Sequence, residues 1–292
     1  MKNTALVAAL LAAFSAPAAF AAATTADVVV IMDESGSMSG EQSWMAGTIG
    51  LLDTGLLANG LSGNRYGLVG FGASSGTAGA DLVRSFTVGT GQFGTAAEFA
   101  TASGGLVING GTEDGYRGMD LASTYSFRGA AARNYILVTD EDRDNTLGSL
   151  TFASMLSSLT GTNTLLNAVV NATFRCGDNS VALGMTANGT GYKANGSGGF
   201  TTCAGATNTG GAGNTELDYV DLALASGGAA WDLNILRGGG LNAESFTNAF
   251  IDVKVQEIIT QPPAIPEPET YALMLAGLGA VGWMARRRKQ QA

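Results

Sequence analysis

The stretch Asp27-Val-Val-Val-Ile-Met-Asp33-Glu-Ser35-Gly-Ser37-Met38 decides the fold. The β-branched apolar run Val28–Ile31 predicts a strand buried on both faces, as in a parallel sheet covered by helices. It breaks off at an acidic, hydroxyl-rich turn containing one glycine. In an open α/β sheet, ligands gather beyond the carboxyl ends of the strands, so this turn is where chemistry is expected. Asp33, Ser35 and Ser37 alternate, so a tight turn can aim three oxygens at one spot, a donor set that suits a hard divalent cation. Helix capping is the rival explanation, because Ser39-Gly-Glu-Gln42 has the form of a capping box. A phosphate-cradling loop is excluded by the missing Gly-Lys-Ser/Thr.

Working outward, strand and helix patterns alternate. A helix is predicted over 41–58, with Met45, Ile49, Leu52 and Leu56 as its core stripe. Strands are predicted at 66–71 and 81–88, a short helix at 93–102 and a helix from about Asp114. The apolar run 134–139 is a second buried strand, ending in Asp140-Glu-Asp142-Arg-Asp144-Asn145. That acidic loop fails as an EF-hand, since Asn145 stands where Gly is needed and Thr151 where Glu is needed, and it reads as a solvated loop. A helix at 147–159 and a strand at 164–174 follow. Residues 176–215 are rich in Gly, Asn, Thr and Ala and are expected to form a looped insertion. A helix at 216–225 carrying Leu217, Val220 and Leu224, a strand at 230–236 and a helix at 244–259 complete the pattern. The fold class expected is α/β, a doubly wound, mostly parallel sheet flanked by helices, with a disulfide-tied loop insertion.

Composition narrows the function. The chain of 292 residues carries a formal charge of −9 and no histidine. Without His there is no His-based triad, no His-ligated zinc and no imidazole general base. The acidic surface repels nucleic acid and favours divalent cations. No convincing nucleophile or base is present, so the chain is not expected to be an enzyme. Residues 1–21 have the form of a secretory signal peptide: a basic start, the apolar run Ala5–Phe14 and small residues up to Ala21. In an exported chain Cys176 and Cys203 are expected to pair, a bridge that stabilises by roughly 3.5 kcal/mol on the chain-entropy argument.

Three separated pieces coincide: Asp33-x-Ser35-x-Ser37, Gly111-Thr112 in a mid-chain loop, and Asp140 after Ile136-Leu-Val-Thr. Together they resemble the metal-ion-dependent adhesion site of von Willebrand factor A (vWA) domains, over about residues 26–260. The resemblance implies that Ser35, Ser37 and Thr112 bind a divalent cation through hydroxyls, with Asp33 and Asp140 acting directly or through water. Magnesium is the first choice, manganese or calcium the alternatives, and the partner is a protein offering an Asp or Glu carboxylate, or extracellular matrix. The chain departs from the family in its 176–215 insertion and at Glu141, where many members have Gly.

The tail, 261–292, resembles a second family. Pro266-Glu267-Pro268, an apolar stretch over 271–285 and the basic cluster Arg286, Arg287, Arg288 and Lys289 look like the PEP-CTERM sorting signal of Gram-negative bacteria. As a helix the apolar stretch spans only about 22 Å, against about 30 Å of hydrocarbon. The resemblance implies transient membrane association through this tail alone, processing by an exosortase-type transpeptidase and display at the cell surface or in its matrix. The function expected is cation-dependent binding in adhesion or biofilm and exopolysaccharide assembly. The alternative is a structural matrix component whose metal only stabilises the fold.

Overall fold

The computed structural model describes residues 23–76, 82–262, 277–279 and 281. The signal peptide at 1–21, the Pro-Glu-Pro motif, the basic cluster and most of the 271–285 stretch lie outside the described residues. Among those described, no helix is long and apolar enough to cross a membrane.

The deciding stretch forms β1 (Ala26–Asp33), every residue of it buried. Successive side chains in a strand point to opposite faces. Val28, Val30 and Met32 accordingly enter one core, and Val29 and Ile31 the other. Helix α1 (Ser39–Ala58) follows, burying Met45, Ile49, Leu52 and Leu56 as its periodicity predicts. Next come β2 (Arg65–Ala73), the edge strand β3 (Leu82–Ser85), α2 (Ala96–Ser103), α3 (Gly115–Ser123), β4 (Ala132–Thr139), α4 (Phe152–Gly161) and β5 (Thr164–Val170). The order β12-β5-β4-β1-β2 is parallel, with antiparallel strands added at both edges to make nine. Here β12 is Ala229–Asp232, near the end of the chain. Helices cover both faces, giving the doubly wound, mostly parallel architecture expected.

The structure corrects the sequence-based expectation in four places. The predicted strand 164–174 is two strands, and β6 (Ala172–Arg175) leaves for a separate sheet ordered β11-β6-β7. The insertion is not a loop: it contains β7 (Val181–Ala182), β8 (Gly184–Thr186), β9 (Gly191–Ala194), β10 (Phe200–Cys203) and β11 (Thr207–Gly211). β8, β9 and β10 extend the edge of the large sheet through β12, and Tyr192 packs on Trp231 and Phe200. The Cys176–Cys203 disulfide is present, with Cα atoms 5.9 Å apart across 27 residues.

The third correction concerns 216–225, which opens as a π-helical turn, Glu216–Val220, before α5 (Asp221–Ala225). The wider turn shifts the phase of the helix, leaving Leu217 64 % exposed although its spacing marks it for the core. Last, the strand 230–236 stops at Asp232. That side chain accepts a hydrogen bond from the Asn234 N–H at 2.9 Å and starts α6 (Leu233–Arg237). Three glycines then lead into α7 (Gly240–Thr260), which packs Phe246 and Phe250 against the fully buried Trp231.

Candidate metal centre

The chain leaves β1 toward β2 on one side and returns through β4 toward β5 on the other, so β1 and β4 flank the topological switch point. Loops diverge there and open a crevice at the strands' carboxyl ends. Asp33 closes β1, Thr139 closes β4, and Asp140 follows at once.

Asp33 is completely buried. Its Oδ1 accepts from the Ser35 N–H at 2.7 Å, and its Oδ2 accepts from the Thr139 hydroxyl at 2.7 Å. The Ser35 and Ser37 hydroxyl oxygens lie 3.2 Å apart, and Ser37 donates to Asp140 Oδ1 at 3.0 Å. Four of the five residues singled out from sequence therefore meet at one point. The capping explanation does not hold: Met38 occupies the N-cap of α1 with no side-chain capping bond. Gln42, the last residue of the supposed capping box, donates instead to the Asp33 and Val107 carbonyls.

Backbone pairing brings in the second loop. Ser35 bridges Gly110, the Gly36 N–H donates to the Gly110 carbonyl at 3.3 Å, and the Asn109 N–H donates to the Glu34 carbonyl at 3.0 Å. Thr112 borders the same crevice as Asp33. A Cβ at Gly72, whose φ is +80°, would lie 3.3 Å from Asp33 Oδ1 and 3.6 Å from the Thr112 carbonyl oxygen. Thr112 does not cap α3, whose N-cap is Asp114. The third loop is clipped to the second by a reciprocal pair: the Asp144 N–H donates to the Glu113 carbonyl at 2.8 Å, and the Glu113 N–H to Asp144 Oδ2 at 2.7 Å. Asp142 accepts from the Asn214 N–H at 3.1 Å. The acids expected to be merely solvated therefore hold loops together.

Electrostatically the crevice carries surplus negative charge. Burial pushes Asp33 up to about 6, against hydrogen bonds from Thr139 and Ser35 that pull it down, with Asp140 adding repulsion. Glu113 is pushed up to about 8 by burial and by the charges of Asp33, Glu141, Asp144 and Asp140. Sequence reasoning missed Glu113 and Thr139, and also Glu34, whose buried carboxylate pairs with Arg84 and accepts from the Val107 N–H at 2.9 Å. It missed Arg237 as well, whose guanidinium reaches Asp140 Oδ2 at 2.9 Å. Glu34 and Thr139 sit inside the quoted motifs and Glu113 directly follows one, but their partners lie elsewhere along the chain, and Arg237 is far from every motif.

Among the described residues no group of three or more Cys, Asp or Glu side chains is arranged to hold a metal ion. The set around Asp33 and Asp140 has another composition, two carboxylates with the Ser35 and Ser37 hydroxyls and Thr112 alongside, and the fit rests on that chemistry. Hard oxygen donors suit magnesium, manganese or calcium. A guanidinium already resting on Asp140 marks the spot as one that attracts positive charge.

Residues 264–289 match the PEP-CTERM protein-sorting motif. The chain carries a PEP-CTERM sorting signal. A motif of this kind implies export, exosortase processing and sorting to the surface. No curated protein matches its sequence. Among solved structures it is similar to a von Willebrand factor type A protein from Catenulispora acidiphila, at 22 % identity over 50 % of this chain and 33 % of that one, with a TM-score of 0.35. It is also similar to proximal thread matrix protein 1 from the mussel byssus, at 17 % identity, 52 % and 36 % coverage and a TM-score of 0.37. A third is the SpRpn10 VWA domain, at 14 % identity, 50 % and 74 % coverage and a TM-score of 0.35. The match thus spans about a third of the first two structures.

Proposed function

We propose that this exported protein binds an acidic partner through a divalent cation held by Asp33, Ser35, Ser37, Thr112 and Asp140. It works at the cell surface or in its matrix, in adhesion or in biofilm and exopolysaccharide assembly, and it is not an enzyme. One observation carries the reading: three loops, clipped pairwise by hydrogen bonds, converge at the sheet's switch point on two carboxylates and a serine pair.

A bound cation supplies the one concentrated positive charge on an acidic surface, and so directs a partner's carboxylate to this spot. The residues do the rest. Hydroxyl oxygens coordinate without adding charge, so Asp33 and Asp140 alone balance a divalent ion. Thr139 and the Ser35 N–H fix the rotamer of Asp33, while Ser37 fixes Asp140. Glu34 and Gln42 pin the neighbouring Val107 segment to the Asp33 turn, which keeps the second loop in place.

Matrix extract passed over the immobilised protein tests the reading. A protein or polysaccharide fraction offering carboxylates is expected to be retained in magnesium, released by chelator, and not retained by Asp140→Ala. Retention unaffected by chelator would overturn it. A metal-dependent melting temperature without any metal-dependent partner would reduce the cation to a folding role.

A further inference from the structure

Arg237 ends α6 and reaches across to the crevice from the far end of the chain. Its Nη1 lies 2.9 Å from Asp140 Oδ2, its Nη2 donates to the Ser37 carbonyl at 3.1 Å, and its Nε pairs with Glu41 Oε1. Asp140 is 8 % exposed, with its other oxygen taken by Ser37. The guanidinium therefore spends its charge on one of the two carboxylates assigned to the cation. From this we infer that Arg237 is an internal competitor for the cation, which sets how tightly Asp140 can hold one. The inference rests on the proposed cation site.

Two further features give the guanidinium somewhere to go and a means of getting there. Glu41, in the first turn of α1, is 4 % exposed, and its Oε2 has no hydrogen-bond partner among the described residues. Leaving a buried carboxylate oxygen unpaired is costly. A guanidinium has a planar fork of donors, so it can exchange Asp140 for a two-bonded grip on the same Glu41. Helix α6 ends at Arg237, and Gly238-Gly-Gly240 follows with no side chains to pack the segment in place. Gly239 and Gly240 have φ of +68° and +61°, a region glycine enters without strain, and the Arg237 side chain is 30 % exposed. Burial opposes the charge on Arg237, and the bonds to Glu41 and Asp140 outweigh it, holding the group firmly protonated. It acts as a fixed charge that changes partner, not as a proton switch.

The consequence is a tuned, weaker affinity. A cation that takes Asp140 must displace a cation already there, and the displaced group settles on Glu41. Magnesium titrations followed by calorimetry, on the intact protein and on Arg237→Gln, test this. The substitution is expected to tighten magnesium binding roughly three- to tenfold, the size of one partly exposed ion pair. Glu41→Gln, which removes the alternative grip, is expected to weaken it. A direct reading comes from the arginine Nε–H resonance of Arg237, identified by its loss in Arg237→Gln. In the intact protein it is expected to shift in step with magnesium uptake.

Unchanged or weaker binding by a folded Arg237→Gln overturns the competitor role while leaving the cation site standing. A resonance that stays still while calorimetry records binding does the same, and it serves even where the variant does not fold if the peak is assigned from triple-resonance spectra of the intact protein. Absence of magnesium binding in the intact protein and in both variants overturns the site and the competitor together.

Discussion

Gly110→Ala is expected to disorder the second loop and destabilise the protein by at least about 3 kcal/mol, more than overpacking a core usually costs. A Cβ on residue 110 would stand 1.4 Å from the Gly72 carbonyl oxygen and 3.0 Å from the Ser74 N. Both obstacles are backbone, so no rotamer change relieves them. The loop must separate from β2, which breaks the Ser35–Gly110 bridge and the bonds from Asn109 and Gly110 to the Glu34 carbonyl. Thr112, two residues on, moves with them. The neighbouring Gly111→Ala is the control, because a Cβ there meets nothing within 4 Å. Urea unfolding of the two variants side by side checks the prediction. Equal midpoints would mean that the close approach at Gly110 does not anchor the loop.

Asp33→Ala is expected to abolish magnesium and manganese binding by calorimetry while leaving the fold intact. The two oxygens of Asp33 tie the first loop to the end of β4, through the Ser35 N–H and the Thr139 hydroxyl. Removing the carboxylate takes away one of two charges and also frees the Ser35 turn. Stability should fall little or even rise, because burial makes this carboxylate costly to ionise. The combination of lost cation affinity and retained stability separates a binding residue from a structural one. Unchanged affinity would remove Asp33 from the site.

How much of this is legible in the sequence follows from which interactions are local. β1 and β4 are legible because strands buried on both faces must be apolar at every position, as Val28–Ile31 and Ile136–Val138 are. The stripe Met45, Ile49, Leu52 and Leu56 is legible for the same local reason. Asp33, Ser35 and Ser37 are legible as a turn, but whether their hydroxyls cap a helix or meet Asp140 depends on a partner 103 residues away. The strands of the insertion escape a reading by composition because their apolar residues are few and scattered, and β8, β9 and β10 form by pairing onto an existing edge, with Met185 and Tyr192 packing into the cores. Asp232 lies in a pattern that predicts strand, and it starts a helix because its side chain bonds forward to Asn234. Arg237 carries no local signal at all. It lies just past the strand expected at 230–236, and two of its partners, Glu41 and Ser37, sit 196 and 200 residues upstream.

The central claim is that one divalent cation sits among Asp33, Ser35, Ser37, Thr112 and Asp140. Anomalous scattering from crystals grown with manganese tests it most directly. A single strong peak between the Asp33 and Asp140 carboxylates, within bonding distance of the Ser35, Ser37 and Thr112 hydroxyls, is the result expected. A peak elsewhere, or none at millimolar manganese in crystals whose crevice is open to solvent, would contradict it.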